Sequence, residues 1–277
     1  MGTIITLTTD FGLTDSYVAA MKGVILSINQ EAKLVDICHT IKPQNIPQAA
    51  FVLSTAYQFF PEKTIHMVVV DPGVGTERRA IIVATPTAYF VAPDNGVLSC
   101  VIQQYSTEPV ADNINQRQIK QGLGLEAVAI TKPQFWRSPV SPTFHGRDIF
   151  APVAAHLSLG TPLTDFGETM NMLTVLPLSR PHQELGGLLV GHVLNIDSFG
   201  NLITNIKSDC LPPAQQTVTV EVSNRIISGL SNTYAEGEEL LALIGSSGYL
   251  EVSLKGGNAC AFLNVKLGDE VRVKQQY

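Results

Sequence analysis

The feature that most limits what this chain can fold into is a change of hydrophobic periodicity near residue 180. Before it, short β-branched runs alternate with helical patterns: Ile4 to Thr8, a helix from about Ser16 to Asn29, then Lys33 to Ile37. Period-2 runs separated by period-3.6 stretches are the grammar of β-α-β units. The pattern continues through a helical stretch from Ile46 to Phe60, the apolar run Ile65 to Val70, strands near Ala80 to Thr85 and Ala88 to Ala92, and a helix after Asn95-Gly96. An α/β domain with a mostly parallel sheet covered by helices is expected over residues 1–178.

Beyond the Pro- and Leu-rich connection at Leu176 to Leu189 the grammar becomes short strands separated by turn residues: Leu188 to Ile196, Leu202 to Ile206, Thr217 to Val222, Arg225 to Ile227, Leu240 to Ile244, Tyr249 to Val252 and Glu270 to Lys274. No amphipathic helix stands out there. Residues 187–277 therefore read as a smaller all-β barrel domain, with the boundary at Ser179 to Gly187. Between Tyr105 and Ser141, a polar stretch from Asp112 to Gln121 precedes the strand-like Leu125 to Ile130, and Thr107 to Gly124 reads as a surface insertion.

Composition removes several classes of function. With 45% hydrophobic and 15% charged residues, the chain is no disordered scaffold. Eighteen Lys and Arg against 24 Asp and Glu give a net charge of −6 without a basic stripe, so nucleic acid is not an expected partner. The amino-terminal residues lack a basic, then apolar, leader, and no run of about eighteen apolar residues occurs, so no membrane partner is expected and the location reads as cytoplasmic. Cys38, Cys100, Cys210 and Cys260 are scattered without a CxxC pair, which suits a reducing compartment and gives no thiolate metal site.

Four segments concentrate chemistry. Thr8 to Asp15 falls where the first strand hands over to the first helix, the usual ligand crevice of open α/β sheets. There Asp10 and Asp15 are either ligand-facing carboxylates or a turn residue and a helix cap. Val68 to Arg79 is an apolar strand breaking into Asp71-Pro72-Gly73. It resembles a phosphate loop only superficially, since it lacks the GxxxxGK[ST] pattern, and taken alone it reads as a tight turn. Pro142 to Pro152 carries His145, the only histidine of six flanked by Gly and charge, and Asp148, which reads as a helix cap. His39, His66, His156, His182 and His192 read as structural. Asn195 to Asn205, with Gly245 to Leu250 and Gly257 to Ala259, crowds polar side chains between strands, either as turns or as a purine-edge site with Phe199 as a stacking face.

Together, TTDFG, VVDPGVGTERRA, APDNG, TFHGRDIFAP, IDSFGNLITNI and SGYLE, in this order, resemble the S-adenosyl-L-methionine hydroxide adenosyltransferase family, relatives of the fluorinase and chlorinase that use the same substrate. The resemblance covers nearly the whole chain. It implies an α/β domain joined to a small β-barrel, a homotrimer with sites at subunit interfaces, and metal-free cleavage of S-adenosylmethionine by water to adenosine and methionine, with no cofactor beyond that substrate. It places the family's catalytic triad on Asp71, Arg78 and His145. Asp10 matches the ribose-diol carboxylate, Asp15 and Asp197 positions facing the methionyl amino group, Phe199 and Asn201 adenine contacts, and Ser246 a neighbour of the methionyl carboxylate. Ala259, reached through a short gap, matches a backbone contact to adenine.

The chemistry suits these types. A sulfonium departs as a neutral thioether, so the burden falls on making water nucleophilic, and water's pKa is about 15.7. Arg78 is expected to stabilise developing hydroxide, while Asp71 and His145 fix the guanidinium and the water and either one can take the proton; orientation by Asp71 and proton removal by His145 is the favoured division. The halide pocket of the relatives uses Tyr, Thr and Ser where this chain has Asp71, Val74 and Gly146, and an anionic Asp71 would repel halide. Halide transfer and non-catalytic binding of S-adenosylmethionine or adenosine stay as alternative readings. A methyltransferase is disfavoured because Asp10-Phe11-Gly12 replaces a GxGxxG loop.

Overall fold

A computed structural model describes residues 2–105, 116–118, 124–177, 179–184, 186–212, 218–237 and 239–275. The chain divides into two compact units, Met1–Leu178 and Ser179–Tyr277. The division falls inside the segment expected as a connection, Leu176 to Leu189, at the start of the expected boundary. Most of the expected insertion, residues 107–115 and 119–123, lies outside the described residues.

The first unit is built on β1 (Ile4–Thr9), β2 (Lys33–Cys38), β3 (Thr64–Val69), β4 (Ala80–Ala84), β5 (Ala88–Pro93) and β7 (Glu126–Ala129), in the spatial order β2-β1-β3-β5-β4-β7. A short β6 (Gln116–Gln118) pairs separately with β8 (Met172–Thr174). Strands β2, β1, β3 and β5 run parallel, whereas β4 is antiparallel to both β5 and β7. Five of these six strands therefore run one way and the sheet is mostly parallel, as the sequence pattern suggests; β4 alone is reversed, because only three residues separate it from β5 and a parallel crossover needs a dozen or more.

Helices cover both faces. On one, α1 (Tyr17–Ile28) turns Val18, Met21 and Ile25 inward and packs with α4 (Ala151–Ser158) over Ile5, Leu7, Ile65 and Met67. On the other, α2 (Ile46–Ala56) and α3 (Ser99–Gln104) cover Val68, Val70, Ile81, Val83 and Phe90. Alternate residues of β3 go to opposite cores, which is why the run 65–70 is apolar at every position but His66. Asn45 caps α2 by accepting from the Gln48 amide at 2.9 Å, and Pro47 occupies its first turn.

His66 is fully buried on β3, its Nδ1 2.8 Å from Thr6 Oγ1 and its ring stacked on Phe90. Burial pushes its pKa down to about 4. The unfolded chain binds a proton near the ordinary histidine value of 6.5 and the folded one only near 4, so stability falls as pH drops through this window, by roughly 3 kcal/mol in all. Urea melts between pH 7 and 4 should show that loss, and His66→Phe should flatten it; an unchanged slope in the variant would remove His66 as the cause.

In the second unit, β10 (Leu189–Ile196), β11 (Leu202–Lys207), β12 (Val218–Val222), β13 (Arg225–Ser228), β14 (Leu240–Ile244), β15 (Tyr249–Leu254) and β16 (Glu270–Gln275) form an antiparallel sheet in the order β13-β12-β16-β10-β11-β15-β14. A two-residue β9 (His182–Gln183) pairs with β10. End strands β13 and β14 pack beside each other, so the sheet nearly closes around Leu202, Ile206, Val220, Leu250, Val252 and Val271. One short helix, α5 (Ala259–Leu263), is present where the sequence suggested none. Five residues are too few for a visible amphipathic period, and Asn258 supplies the cap by accepting from the Ala261 amide at 2.7 Å. No described helix is long and apolar enough to cross a membrane.

Candidate active site

The parallel strands β1, β3 and β5 deliver Asp10, Asp71 and Asp94-Asn95 to one edge of the sheet, where open α/β sheets gather ligands. The antiparallel return of β4, with Ala80 opposite Pro93, brings Arg78 and Arg79 back to that same edge. A wholly parallel sheet would have put them elsewhere.

Each loop at this edge is tied down. His39 lies buried with Nδ1 2.8 Å from Thr9 Oγ1, while its carbonyl accepts from the Gly12 amide at 2.7 Å. Its Nε2 stands 3.0 Å from Asp36 Oδ1. Asp10 accepts from the Gln44 amide at 2.8 Å. Asn95 donates to the Val70 carbonyl at 2.9 Å and fixes the end of β3 beside Asp71. Asp94 is buried and accepts from Arg79 Nε at 3.0 Å and from the Thr174 amide at 2.7 Å. Gly75, at φ +78°, lets its loop approach the segment carrying His145, since a Cβ there would sit 2.4 Å from the Pro142 carbonyl oxygen.

Arg78 joins the three expected catalytic residues. Its Nε donates to Asp71 Oδ1 at 2.9 Å, and its Nη2 donates to Asp71 Oδ2 and to His145 Nδ1, the latter at 2.9 Å. The guanidinium lies 5.2 Å from the Phe150 ring centroid. A guanidinium has no acceptor, so His145 Nδ1 must accept, and the ring is the neutral tautomer with its hydrogen on Nε2. Burial, and then the charge of Arg78, hold the His145 pKa below its usual value, which favours that neutral ring.

A cavity of about 360 Å³ opens beside this group. Asp10, Asp71 and His145 line it, with an aromatic wall of Phe11, Tyr17 and Phe144 whose centroids stand 5.2 to 5.8 Å apart. Arg78 does not line it, and its side chain is only 11% exposed. Asp15 is exposed ahead of α1 and does not line it either, and the cap position of α1 belongs to Ser16. The aromatic wall and Gln44 had been assigned no role from sequence, although Phe11 and Phe144 stand inside the quoted motifs. Nor is Asp148 the helix cap the sequence suggested: it lies within a π-helical turn, Gly146–Phe150, with its carboxylate fully buried.

In the second unit, Asp197 closes the turn between β10 and β11. Its Oδ1 accepts from the Phe199 and Asn201 amides, both at 2.9 Å, and its Oδ2 from Asn201 Nδ2 at 2.9 Å. Phe199 is left 75% exposed at the tip. The Cys260 amide donates to the Gly200 carbonyl at 2.9 Å, which binds the start of α5, and so buried Ala259, to the same turn. Gly200, at φ +85°, has no room for a Cβ against Asn258. Ser246 is not part of this group. It occupies the β14–β15 turn, whose Gly248 carbonyl accepts from the Ser208 amide, at the opposite end of β11. The carboxylate of the SGYLE motif, Glu251, is buried and accepts from Tyr234 Oη at 2.8 Å and Ser253 Oγ at 2.9 Å. Burial and that bond push the Tyr234 phenol up to about 12.

Family models for the SAM hydroxide adenosyltransferase N-terminal and C-terminal domains match residues 5–167 and 191–272. The chain belongs to the SAM hydroxide adenosyltransferase family. Within it, a Salinispora tropica protein named (R)-S-adenosyl-L-methionine hydrolase is 37% identical over 273 residues, covering 97% of each chain. A protein named fluorinase from Nocardia brasiliensis is 28% identical over 306 residues, covering 98% of this chain and 96% of its own. The crystal structure of an uncharacterized conserved protein from Thermotoga maritima superposes with a TM-score of 0.86 at 36% identity, covering 98% of this chain and all of that one. In this member of the SAM hydroxide adenosyltransferase family, Asp71, Arg78 and His145 are joined by one guanidinium, with Asp71 and His145 facing the cavity.

Proposed function

We propose that this chain hydrolyses S-adenosyl-L-methionine to adenosine and L-methionine by attack of a water oxygen on C5′. The C5′–O bond forms as the C5′–S bond breaks, methionine leaves as a neutral thioether, and the water loses one proton. The observation that carries the reading is the Asp71-Arg78-His145 group at the wall of a cavity sized for a nucleoside. The relative named (R)-S-adenosyl-L-methionine hydrolase supports it.

The hydrogen bonds refine the roles expected from sequence. With Nδ1 taken by Arg78 and the ring hydrogen on Nε2, His145 has no free lone pair with which to take a proton. It donates from Nε2 to the attacking oxygen and orients it. Asp71 keeps unused lone pairs on both oxygens and is the acceptor for the departing proton, while Arg78 acts as the clamp that fixes both neighbours. Because hydroxide-like oxygen meets a cationic sulfonium, charge is lost in the transition state, and a dry cavity favours that loss.

Asp10 belongs to the ribose diol in this reading, and Asp15 and Asp197 to the methionyl amino group. Phe199, Asn201 and Ala259 belong to adenine and Ser246 to the methionyl carboxylate. The active assembly is a homotrimer whose sites lie between subunits, working in the cytoplasm without a further cofactor. Fluorinase kinship favours a second reading, halide transfer, which the anionic Asp71 on the cavity wall opposes. Incubation with S-adenosylmethionine, with and without chloride, separates the two. Equimolar adenosine and methionine in both arms are expected, and 5′-chloroadenosine in the chloride arm would overturn the hydrolase reading.

A further inference from the structure

Asp148 is a fully buried carboxylate, 0% exposed, three residues beyond His145, and the mechanism above makes no use of it. Its Oδ1 accepts from Arg147 Nε at 2.7 Å and, at 3.5 Å, from Arg137 Nη1. Its Oδ2 accepts from Arg147 Nη2 at 2.7 Å and from the Ser141 amide at 2.9 Å. Its backbone joins in as well, the carbonyl accepting from the Arg137 amide at 2.8 Å. Side chain and main chain of one residue therefore close residues 137–148 into a ring whose last turn holds His145.

His145 is followed directly by a π-helical turn, Gly146–Phe150, with the Ala151 amide donating to the Gly146 carbonyl. Such wide turns are poorer in energy than an α-turn and persist only where surroundings hold them. The carboxylate also grips Arg147, whose guanidinium lies 5.0 Å from the Phe144 ring centroid, and Phe144 forms part of the cavity's aromatic wall. One buried anion thus supports both the imidazole and the wall beside it.

We propose that Asp148 is a positioning residue: by fixing the wide turn and Arg147, it aims His145 Nδ1 at Arg78 and Nε2 at the cavity. The proposal rests on the hydrolase reading for its kinetic test but not for its spectroscopic one. It also has an electrostatic signature, because the Asp148 charge opposes the lowering of the His145 pKa by burial and Arg78.

The test compares wild type, Asp148→Asn and Arg147→Lys, the last keeping the cation but losing the two-pronged fit on a side chain that is partly exposed. Asp148→Asn should lower kcat about 30-fold with KM within about threefold, since small misplacement of a reacting group costs up to about 100-fold. It should also move the acid limb of the kcat/KM profile to lower pH, which a loss of packing alone would not do. Arg147→Lys should show a smaller kcat loss in the same direction. Nitrogen-15 spectra of the His145 ring should show a single Nε2–H tautomer in wild type and a mixture in the variants. Unchanged kcat and an unchanged ring spectrum in a folded Asp148→Asn would overturn the proposal, and if that variant does not fold, the same results in Arg147→Lys would do so. Absence of adenosine release by wild type would sink the hydrolase reading alone, and the ring spectra would still decide the role of Asp148.

Discussion

Arg78→Ala is expected to lower the rate of adenosine formation by about 1,000-fold while KM changes by less than about threefold. Arg78 does not line the cavity, so its removal should take little from substrate binding. It should take most of what arranges the nucleophile, because one planar fork serves three acceptors: both oxygens of Asp71 and Nδ1 of His145. Lysine cannot replace it, since a single ammonium cannot meet three acceptors in that plane, and Arg78→Lys should recover less than about a tenth of the activity. The Asp71 and Arg78 side chains are only 5% and 11% exposed, so the Ala variant also leaves a buried carboxylate unpaired, at a cost of roughly 3 kcal/mol. Steady-state kinetics and thermal melts measured on the same preparations check both statements. A loss residing in KM would instead make Arg78 a substrate contact.

The second large effect separates an orienting imidazole from a proton-removing one. His145→Ala should lower kcat by about 1,000-fold, whereas His145→Asn, whose amide oxygen stands close to where Nδ1 stood and still accepts from Arg78, should recover about tenfold of that loss. The wild-type profile follows from the same bond. Only the neutral ring accepts at Nδ1, so activity should rise with pH through a value below the ordinary histidine 6.5, in the direction that burial and the Arg78 charge dictate. The Asn variant should lose the imidazole's part of that limb. An Asn variant as inactive as the Ala one would return the proton to His145.

Much of this was legible in the residues. Strand and helix periods located β1, α1, β2 and β3 to within a residue or so, because short runs rich in β-branched residues mark the strands and Val18, Met21 and Ile25 recur at helical spacing on α1. Seven of the eight described strands of the second unit, β10 to β16, were legible because each is bracketed by turn residues, whereas the two-residue β9 is too short to leave a pattern. Asp71, Arg78 and His145 were singled out from their motifs, and the fold brings them into one hydrogen-bonded group.

What stayed hidden was hidden for physical reasons. The antiparallel sense of β4 decides where Arg78 emerges, yet strand direction leaves no trace in a hydrophobic pattern; only the short β4–β5 connection could have revealed it. Asp148 sits at a helix-start position in sequence, but a π-helical turn has no compositional mark that distinguishes it from an α-helical first turn. Which of Asp71 and His145 takes the proton turns on the nitrogen that Arg78 occupies, and no residue pattern carries that geometry. Ser246 shares a motif neighbourhood with Ala259, yet the β14–β15 hairpin carries it to the other end of β11.

The most direct test is a single turnover in water enriched in oxygen-18, with S-adenosylmethionine as the sole nucleoside and mass spectrometry of both products. Expected is adenosine carrying one oxygen-18 at its 5′ position, together with one equivalent of unlabelled methionine. Binding of S-adenosylmethionine without turnover, or adenosine with no label at 5′, would contradict water attack at that carbon.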